Sequence, residues 1–241
     1  MLEDLLPGNV ACVEVRGDNP LACLFSEEAD QFGWAVESRV KEFTTARSCA
    51  RRALSKLGLP ETPILRGPNR EPLWPSGVVG SITHCEGFRA AVVGKGSDLL
   101  TVGIDAEIHE ELPAEVFPHV CIEPELVWLA NAPKGVHWDR VLFSVKESVY
   151  KAWFPLTQRW LGFDDVAVTL RPADGTFHAR LLVDSPAIDG EVLTEFSGRF
   201  MVQKRLILTA TSVLRRTSAH ACDSLFQLRS QLSANHCVVR S

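Results

Sequence analysis

Residues 101–107, Thr-Val-Gly103-Ile-Asp105-Ala-Glu107, and residues 140–154, Arg140-Val-Leu-Phe143-Ser-Val-Lys146-Glu147-Ser-Val-Tyr-Lys151-Ala-Trp-Phe154, are the two stretches on which the reading of this chain turns. The first reads as a strand. Side chains two apart on a strand share a face, so Asp105 and Glu107 present their carboxylates together. The second reads as a helix that ends at Pro155, with Leu142, Val145, Val149 and Trp153 recurring at helical spacing. Glu147 falls about 140° from Leu142 at ~100° per residue, away from the apolar face, and Lys151 lies one turn further on the same side.

The same alternation of helix and strand extends outward in both directions. Residues 26–57 predict one long helix or two abutting ones. Ser26 is its N-cap, and Glu27, Glu28 and Asp30 complement the positive end of the dipole. Phe32, Val36, Val40 and Phe43 mark the apolar face, and Gly58 and Pro60 give the stop. Prolines 63, 68, 72 and 75 make the Pro63–Gly77 stretch an ordered loop. Strands are expected at 78–84, 88–93 and 101–107, the first two joined by the Cys85-Glu86-Gly87 hairpin. Beyond the second helix, period-2 runs return at 166–170, 177–183, 199–203 and 205–213. Helix then sheet, twice over, predicts an α+β protein: two similar α/β halves packed together as a pseudo-dimer within one chain. The boundaries drawn from sequence are 1–103 for the N-terminal half, 104–216 for the C-terminal half, and 217–241 for a loosely attached tail.

Composition narrows the function classes. The 241 residues carry a formal charge of −5, with 46% hydrophobic and 23% charged residues, enough apolar side chains for a sizeable core. An acidic balance, with pI near 5.8, argues against a general nucleic-acid binder. No apolar run approaches the ~18 residues of a membrane span, and the first residues lack the basic region of an export signal. Seven scattered cysteines with no C-x-x-C suggest neither a disulfide framework nor a zinc site, and fit a reducing cytoplasm.

Four features carry chemistry. Paired carboxylates at Asp105 and Glu107 repel unless a cation sits between them, and oxygen-only ligands suit Mg²⁺ with substrate phosphate. Glu147 and Lys151 share a helix face. Arg47 and Arg51, four apart on the first helix, offer two planar forks to a phosphate, and no P-loop is present to do that work. His84 ends a strand at Ser81-Ile-Thr83-His84-Cys85; Cys85 points to the opposite face and is discounted as a nucleophile partner. Taken singly, each is also what a solvated strand end, a surface ion pair, a basic helix end or a structural histidine would give.

Their order along the chain is more specific. Arg47 and Arg51, the Arg66–Pro75 loop, G-S-I-T-H84, G-I-D-A-E107 and F-S-V-K-E147-S-V-Y-K151-A, followed by Trp153 to Phe163, resemble the 4′-phosphopantetheinyl transferase superfamily. The likeness is to its monomeric two-half branch, which serves siderophore, polyketide and non-ribosomal peptide synthases. The resemblance implies transfer of the 4′-phosphopantetheine arm of coenzyme A to a serine of an apo acyl or peptidyl carrier protein, with release of 3′,5′-ADP. It implies that Asp105, Glu107 and Glu147 hold Mg²⁺, with Mn²⁺ as the alternative. Glu147 or a water it orients is then the base, Lys151 serves the leaving phosphate, and Asp105 is part of the catalytic set. His84 and Arg47 are implied at the 3′-phosphate, with Arg51, Arg66, Arg70 and Thr83 as further coenzyme contacts. Ala106 and Phe143 stand where many relatives have Ile and Trp, so a third ligand at position 106 is replaced by water. The acidic carrier is expected to dock on the basic side chains after Glu191 (199, 204, 205, 215, 216, 229, 240) or on Val116–Val120. The competing readings are a Mg²⁺-dependent coenzyme A or nucleotide diphosphate hydrolase and a non-catalytic carrier-binding regulator.

Overall fold

The computed structural model describes residues 1–31, 36–188 and 190–215. The N-terminal half opens with a short helical turn, Leu2–Leu5, and strand β1, Val10–Arg16. Helices α1 (Ser26–Asp30) and α2 (Glu37–Lys56) follow. Two-residue strands β2 (Leu65–Arg66) and β3 (Pro72–Leu73) pair within the proline-rich loop, before β4 (Val78–Cys85) and β5 (Phe88–Lys95). The C-terminal half runs β6 (Leu99–Ile108), α3 (Phe117–Val120), α4 (Glu123–Leu129), α5 (Trp138–Thr157), β7 (Val166–Arg171) and β8 (Thr176–Leu181). It closes with the small pair β9 (Ala187–Ile188) and β10 (Glu191–Val192), then β11 (Glu195–Val202) and β12 (Leu206–Leu214).

Both halves follow one path. A strand leads into a long helix, antiparallel strands follow, and the last strand returns to pair with the first: β1-β5-β4 in one sheet, β6-β12-β11-β8-β7 in the other. This is the expected mixed fold of two like halves. β6 runs unbroken through residues 103 and 104, where the sequence placed the boundary; the chain passes between the sheets at the turn before Leu99.

Three apolar clusters hold this arrangement. α2 covers one face of the first sheet through Cys49, Ala50, Ala53 and Leu54 against Val13, Ala91 and Val93. α5 covers the second through Val141, Leu142, Val145, Val149 and Trp153 against Val166, Phe177, Ala179, Phe196 and Ile207. The remaining faces pack on each other: Val10, Cys12, Phe88, Ala90 and Val92 meet Val102, Ile104, Ala106, Leu206, Leu208 and Ala210. A strand covered on both faces loses the polar alternation of a half-exposed one. β5 accordingly is buried from Phe88 to Gly94. On β6 the odd positions, Thr101, Gly103, Asp105 and Glu107, are left for the α5 side.

The local differences from expectation have physical causes. The predicted 26–57 helix is two helices, and Phe25 rather than Ser26 takes the cap position, its N–H donating to Glu28 Oε2 at 3.0 Å. α2 ends as expected at Gly58: with φ at +75°, it lets its own N–H reach the Ser55 carbonyl and the Leu59 N–H reach that of Leu54. Pro155 does not terminate α5, which continues to Thr157 and stops at Gln158 with φ at +54°. Near a helix end a proline forfeits only one backbone bond. Here Thr157 Oγ1 donates to the Trp153 carbonyl and Gln158 N–H to that of Phe154. β1, α3 and α4 were not anticipated. Phe32 and the 217–241 tail lie outside the described residues.

Candidate active site

The closest contact between helix and sheet decides where the functional side chains meet. α5 crosses β6 over Gly103, where a Cβ would stand 1.9 Å from the Ser148 carbonyl oxygen and 2.8 Å from the Ala152 nitrogen. Only a residue without a side chain admits the helix this close. Ser144, Ser148 and Ala152, spaced four apart, face the strand, and Thr101 Oγ1 donates to the Ala152 carbonyl at 2.7 Å. Two residues along the same strand face, Asp105 therefore lies under the helix.

Asp105 is buried and fully engaged. Its Oδ1 accepts from Lys151 Nζ at 2.6 Å and Thr83 Oγ1 at 3.2 Å, and its Oδ2 from Ser144 Oγ at 2.8 Å. Glu107, nearer the strand end, accepts from Arg140 at 3.0 Å. Arg140 also donates to the carbonyls of Glu110 and Glu111, which fixes the loop leaving β6. Burial pushes the Glu107 carboxyl up to about 7, and the Asp105 charge adds to this against the pull of Arg140. Burial likewise holds Glu147 above the ordinary carboxylate range despite Lys151, with Asp105 adding to the rise. Among the described residues no hydrogen bond ends on the Glu147 carboxylate, and no three His, Cys, Asp or Glu side chains already converge as a metal cluster. Lys151 and Arg140 are the cations that hold Asp105 and Glu107.

Above this floor opens a cleft of about 640 Å³ between the halves, lined by Arg39, Arg47, Arg66, Arg70 and His84 on one side and Glu147, Tyr150 and Lys151 on the other. Phe43 carries the Arg47 guanidinium 4.3 Å from its ring centre and that of Arg66 at 4.7 Å. Burial lowers Arg47 to about 10, with repulsion from Arg66 and Arg51 adding, and its Nε is buried without a hydrogen-bond partner. Arg66 is lowered by burial and by Arg39 and Arg70. Glu42 lies among them, at 3.0 Å from Arg39 and 3.1 Å from His84 Nδ1, and Glu71 also lines the cleft. Partial burial lowers the His84 pKa against the Glu42 charge, with Arg39, Lys151 and Arg89 adding.

Two side chains read as coenzyme contacts are committed elsewhere. Arg51 points away from the cleft, pairing with the fully buried Glu28 at 2.6 Å and donating to the Cys23 carbonyl, with its guanidinium 5.0 Å over the Phe25 ring. Glu28 in turn accepts the Ile64 N–H at 2.8 Å, so the pair ties α1 and the loop to α2. Thr83 has one proton and two lone pairs. It donates to Asp105, accepts the Ala106 N–H at 3.0 Å, and lies 3.5 Å from Lys151 Nζ, leaving nothing for a ligand. Together with Ser81, which accepts the Ile104 N–H at 3.1 Å, it stitches β4 to β6 where no backbone ladder joins them. Cys85 is no nucleophile: burial and the neighbouring Glu107 and Asp105 push its thiol up to about 12.

The sequence reading missed Arg140, Ser144 and Thr209 as partners of the acids, and the buried Lys146–Glu125 pair at 2.7 Å. Lys146 also donates to the carbonyls of Val120 and Phe163, both at 2.8 Å, tying α3 and the segment before β7 to α5. A second depression, of about 540 Å³, shares Glu147 and Tyr150 with the cleft and is lined by Pro118, His119, Trp160 and Phe163. Of the basic side chains expected at a docking face, Lys204 and Arg205 are exposed at the Glu107 end of the second sheet, where the His109 N–H reaches the Arg205 carbonyl. Arg199 is exposed along β11, Arg215 lies at the opposite end beside Gly96, and positions 216, 229 and 240 lie outside the described residues.

The sequence is similar to those of known proteins. Residues 27–94 match the 4′-phosphopantetheinyl transferase N-terminal domain, and residues 101–195 match the 4′-phosphopantetheinyl transferase superfamily. The chain is 48% identical over 199 residues to the 4′-phosphopantetheinyl transferase Svp of Streptomyces mobaraensis, covering 81% of each chain. It is 43% identical over 219 residues to the 4′-phosphopantetheinyl transferase PptT of Mycobacterium tuberculosis, covering 87% of this chain and 96% of that one. Enterobactin synthase component D of Salmonella typhi is 32% identical over 58% of each chain. With both halves matched, the chain belongs to the 4′-phosphopantetheinyl transferase superfamily.

Proposed function

We propose that this enzyme moves the 4′-phosphopantetheine arm of coenzyme A onto a serine hydroxyl of an apo acyl or peptidyl carrier protein, releasing 3′,5′-ADP, and that it acts as a cytoplasmic monomer. The observation that carries the reading is a single cleft with Arg47, Arg66, Arg70 and His84 on one side and Glu147 and Lys151 on the other, Lys151 resting on Asp105. A donor with a 3′-phosphate at one end and a diphosphate at the other matches that polarity. Five described cysteines are free thiols. No helix among the described residues is long and apolar enough to cross a membrane.

The roles follow from position. Arg47 and His84 meet the 3′-phosphate; for His84 this means exchanging Glu42 for the ligand. Arg66 and Arg70 line the adenine side. The acids fit a hard divalent cation: the donors are all oxygen, and burial raises the pKa of both Glu107 and Glu147, with Asp105 adding to each rise. Asp105, Glu107 and Glu147 would hold Mg²⁺, or Mn²⁺, which supplies charge neutralisation at the diphosphate and polarises the phosphoryl group under attack. Lys151, within reach of Asp105, moves to the leaving phosphate and stabilises its charge. Glu147 faces both the cleft and the second depression, so a carrier serine entering beside Trp160 and α3 reaches it without crossing the nucleotide. With a raised pKa and no hydrogen bond of its own among the described residues, it accepts the serine proton or orients the water that does. The serine oxygen bonds to the pantetheine-side phosphorus as the bond from that phosphorus to the bridging oxygen breaks. Lys204 and Arg205, at the Glu107 end, give an acidic carrier helix its docking charge.

Intact mass of apo carrier proteins incubated with enzyme, coenzyme A and Mg²⁺ tests this. A pantetheinyl adduct is expected on at least one carrier of a siderophore, polyketide or peptide synthase. No adduct across such a panel, with 3′,5′-ADP released from coenzyme A alone, would make the protein a hydrolase. Tight coenzyme binding with neither product would make it a non-catalytic binder.

A further inference from the structure

Beneath the carboxylate floor, a set of hydroxyls that the roles above leave unused converges on Asp105. Ser144 of α5 and Thr209 of β12 are both inaccessible to solvent, and Thr209 is the direct cross-strand partner of Asp105 in the sheet register. Ser144 Oγ lies 2.8 Å from Asp105 Oδ2 and 3.1 Å from Thr209 Oγ1, and Thr209 Oγ1 lies 2.9 Å from the Ser144 carbonyl oxygen.

Proton counting gives the network one direction. An ionised carboxylate only accepts, so the single Ser144 hydroxyl proton goes to Asp105. Ser144 Oγ can then only accept from Thr209, whose one proton is shared between that oxygen and the Ser144 carbonyl. Thr83 donates to the other carboxylate oxygen. We propose that Ser144, oriented by Thr209, is a positioning residue that fixes the Asp105 carboxylate for the transfer reaction. The inference rests on the assignment of Asp105 to that reaction. Without the Ser144 donor, Asp105 keeps among the described residues only its contacts through Oδ1, and no hydrogen bond there fixes Oδ2. Partners of this kind behind a ligating group are typically worth roughly 10–100-fold in metal affinity or activity.

The test uses Ser144→Ala, Thr209→Val, Thr209→Ser and Asp105→Ala in the full chain, with Mn²⁺ binding measured by titration without carrier alongside kcat and KM. Thr209→Val keeps the shape and removes the hydroxyl; Thr209→Ser does the reverse. Ser144→Ala is expected to weaken Mn²⁺ binding and lower kcat by about tenfold or more, with KM for coenzyme A within about twofold. Thr209→Val should follow in the same direction and Thr209→Ser should stay close to the parent. The proposal is overturned if Ser144→Ala and Thr209→Val bind Mn²⁺ and turn over like the parent while Asp105→Ala is inactive. It also fails if Thr209→Ser is impaired and Thr209→Val is not, which would make the position a packing site. An active Asp105→Ala would instead refute the assignment of the site itself.

Discussion

Glu107→Gln removes a carboxyl whose folded-state pKa stands at about 7 rather than the ordinary 4.5. Its environment has a definite consequence for stability. Between those two values the folded state binds more protons at this group than the unfolded chain, so stability falls as pH rises and levels off above about 7. At ~1.4 kcal/mol per pH unit, the full effect is about 3 kcal/mol, most of which develops between pH 5 and pH 8. The substitution also costs the ion pair with Arg140, but that loss is nearly constant above pH 7. The measurement is urea unfolding of parent and variant in EDTA at several pH values, comparing the slope of their difference rather than its absolute size. The variant should gain on the parent by 2–3 kcal/mol from pH 5 to 8. Adding Mg²⁺ at pH 8 should restore stability to the parent and do little for the variant. Parallel profiles for the two proteins would show that burial does not raise the Glu107 pKa as assigned.

Gly103→Ala should lower stability by several kcal/mol and abolish transfer, because the new methyl meets the backbone of α5 at Ser148, which cannot turn aside; thermal melting and carrier mass would show both. Arg51→Met strands the fully buried Glu28, so a loss of about 3–5 kcal/mol is expected. Folded molecules of that variant should keep a coenzyme A KM close to the parent's, and a large rise in KM would return Arg51 to the binding site. Arg47→Ala should raise KM for coenzyme A about tenfold or more with kcat little changed, the mark of binding shared by ground and transition states. Because Arg47 has an unpartnered buried Nε, its melting temperature should be no lower than the parent's.

Much of the architecture was legible because it depends on local periodicity. The apolar spacing of Leu142, Val145, Val149 and Trp153 identified the buried face of α5, and Glu147 and Lys151 were placed together by helical geometry alone. The shared face of Asp105 and Glu107 followed from a period of two. β1 escaped notice because its neighbours cover it unevenly, leaving Val10, Cys12 and Val13 buried rather than a clean alternation. Pro155 misled because its cost depends on how near the helix end it falls, which the sequence does not state. Arg47 and Arg51 share a helix face in projection. A few tens of degrees decide that one meets the cleft and the other Glu28.

The sequence by itself determined most of the longer elements, the sharing of faces within each, and the ordered motifs that mark the family. Tertiary structure alone decided which charges are compensated: Lys151 at Asp105, Arg140 at Glu107, Arg51 at Glu28 and Lys146 at Glu125. It also committed Thr83 to a seam rather than a ligand and brought Ser144 and Thr209 together behind Asp105. The reason is range. Periodicity is a property of neighbours along the chain, whereas ion pairing and hydroxyl direction depend on groups tens of residues apart, set by how closely α5 approaches β6 at a glycine.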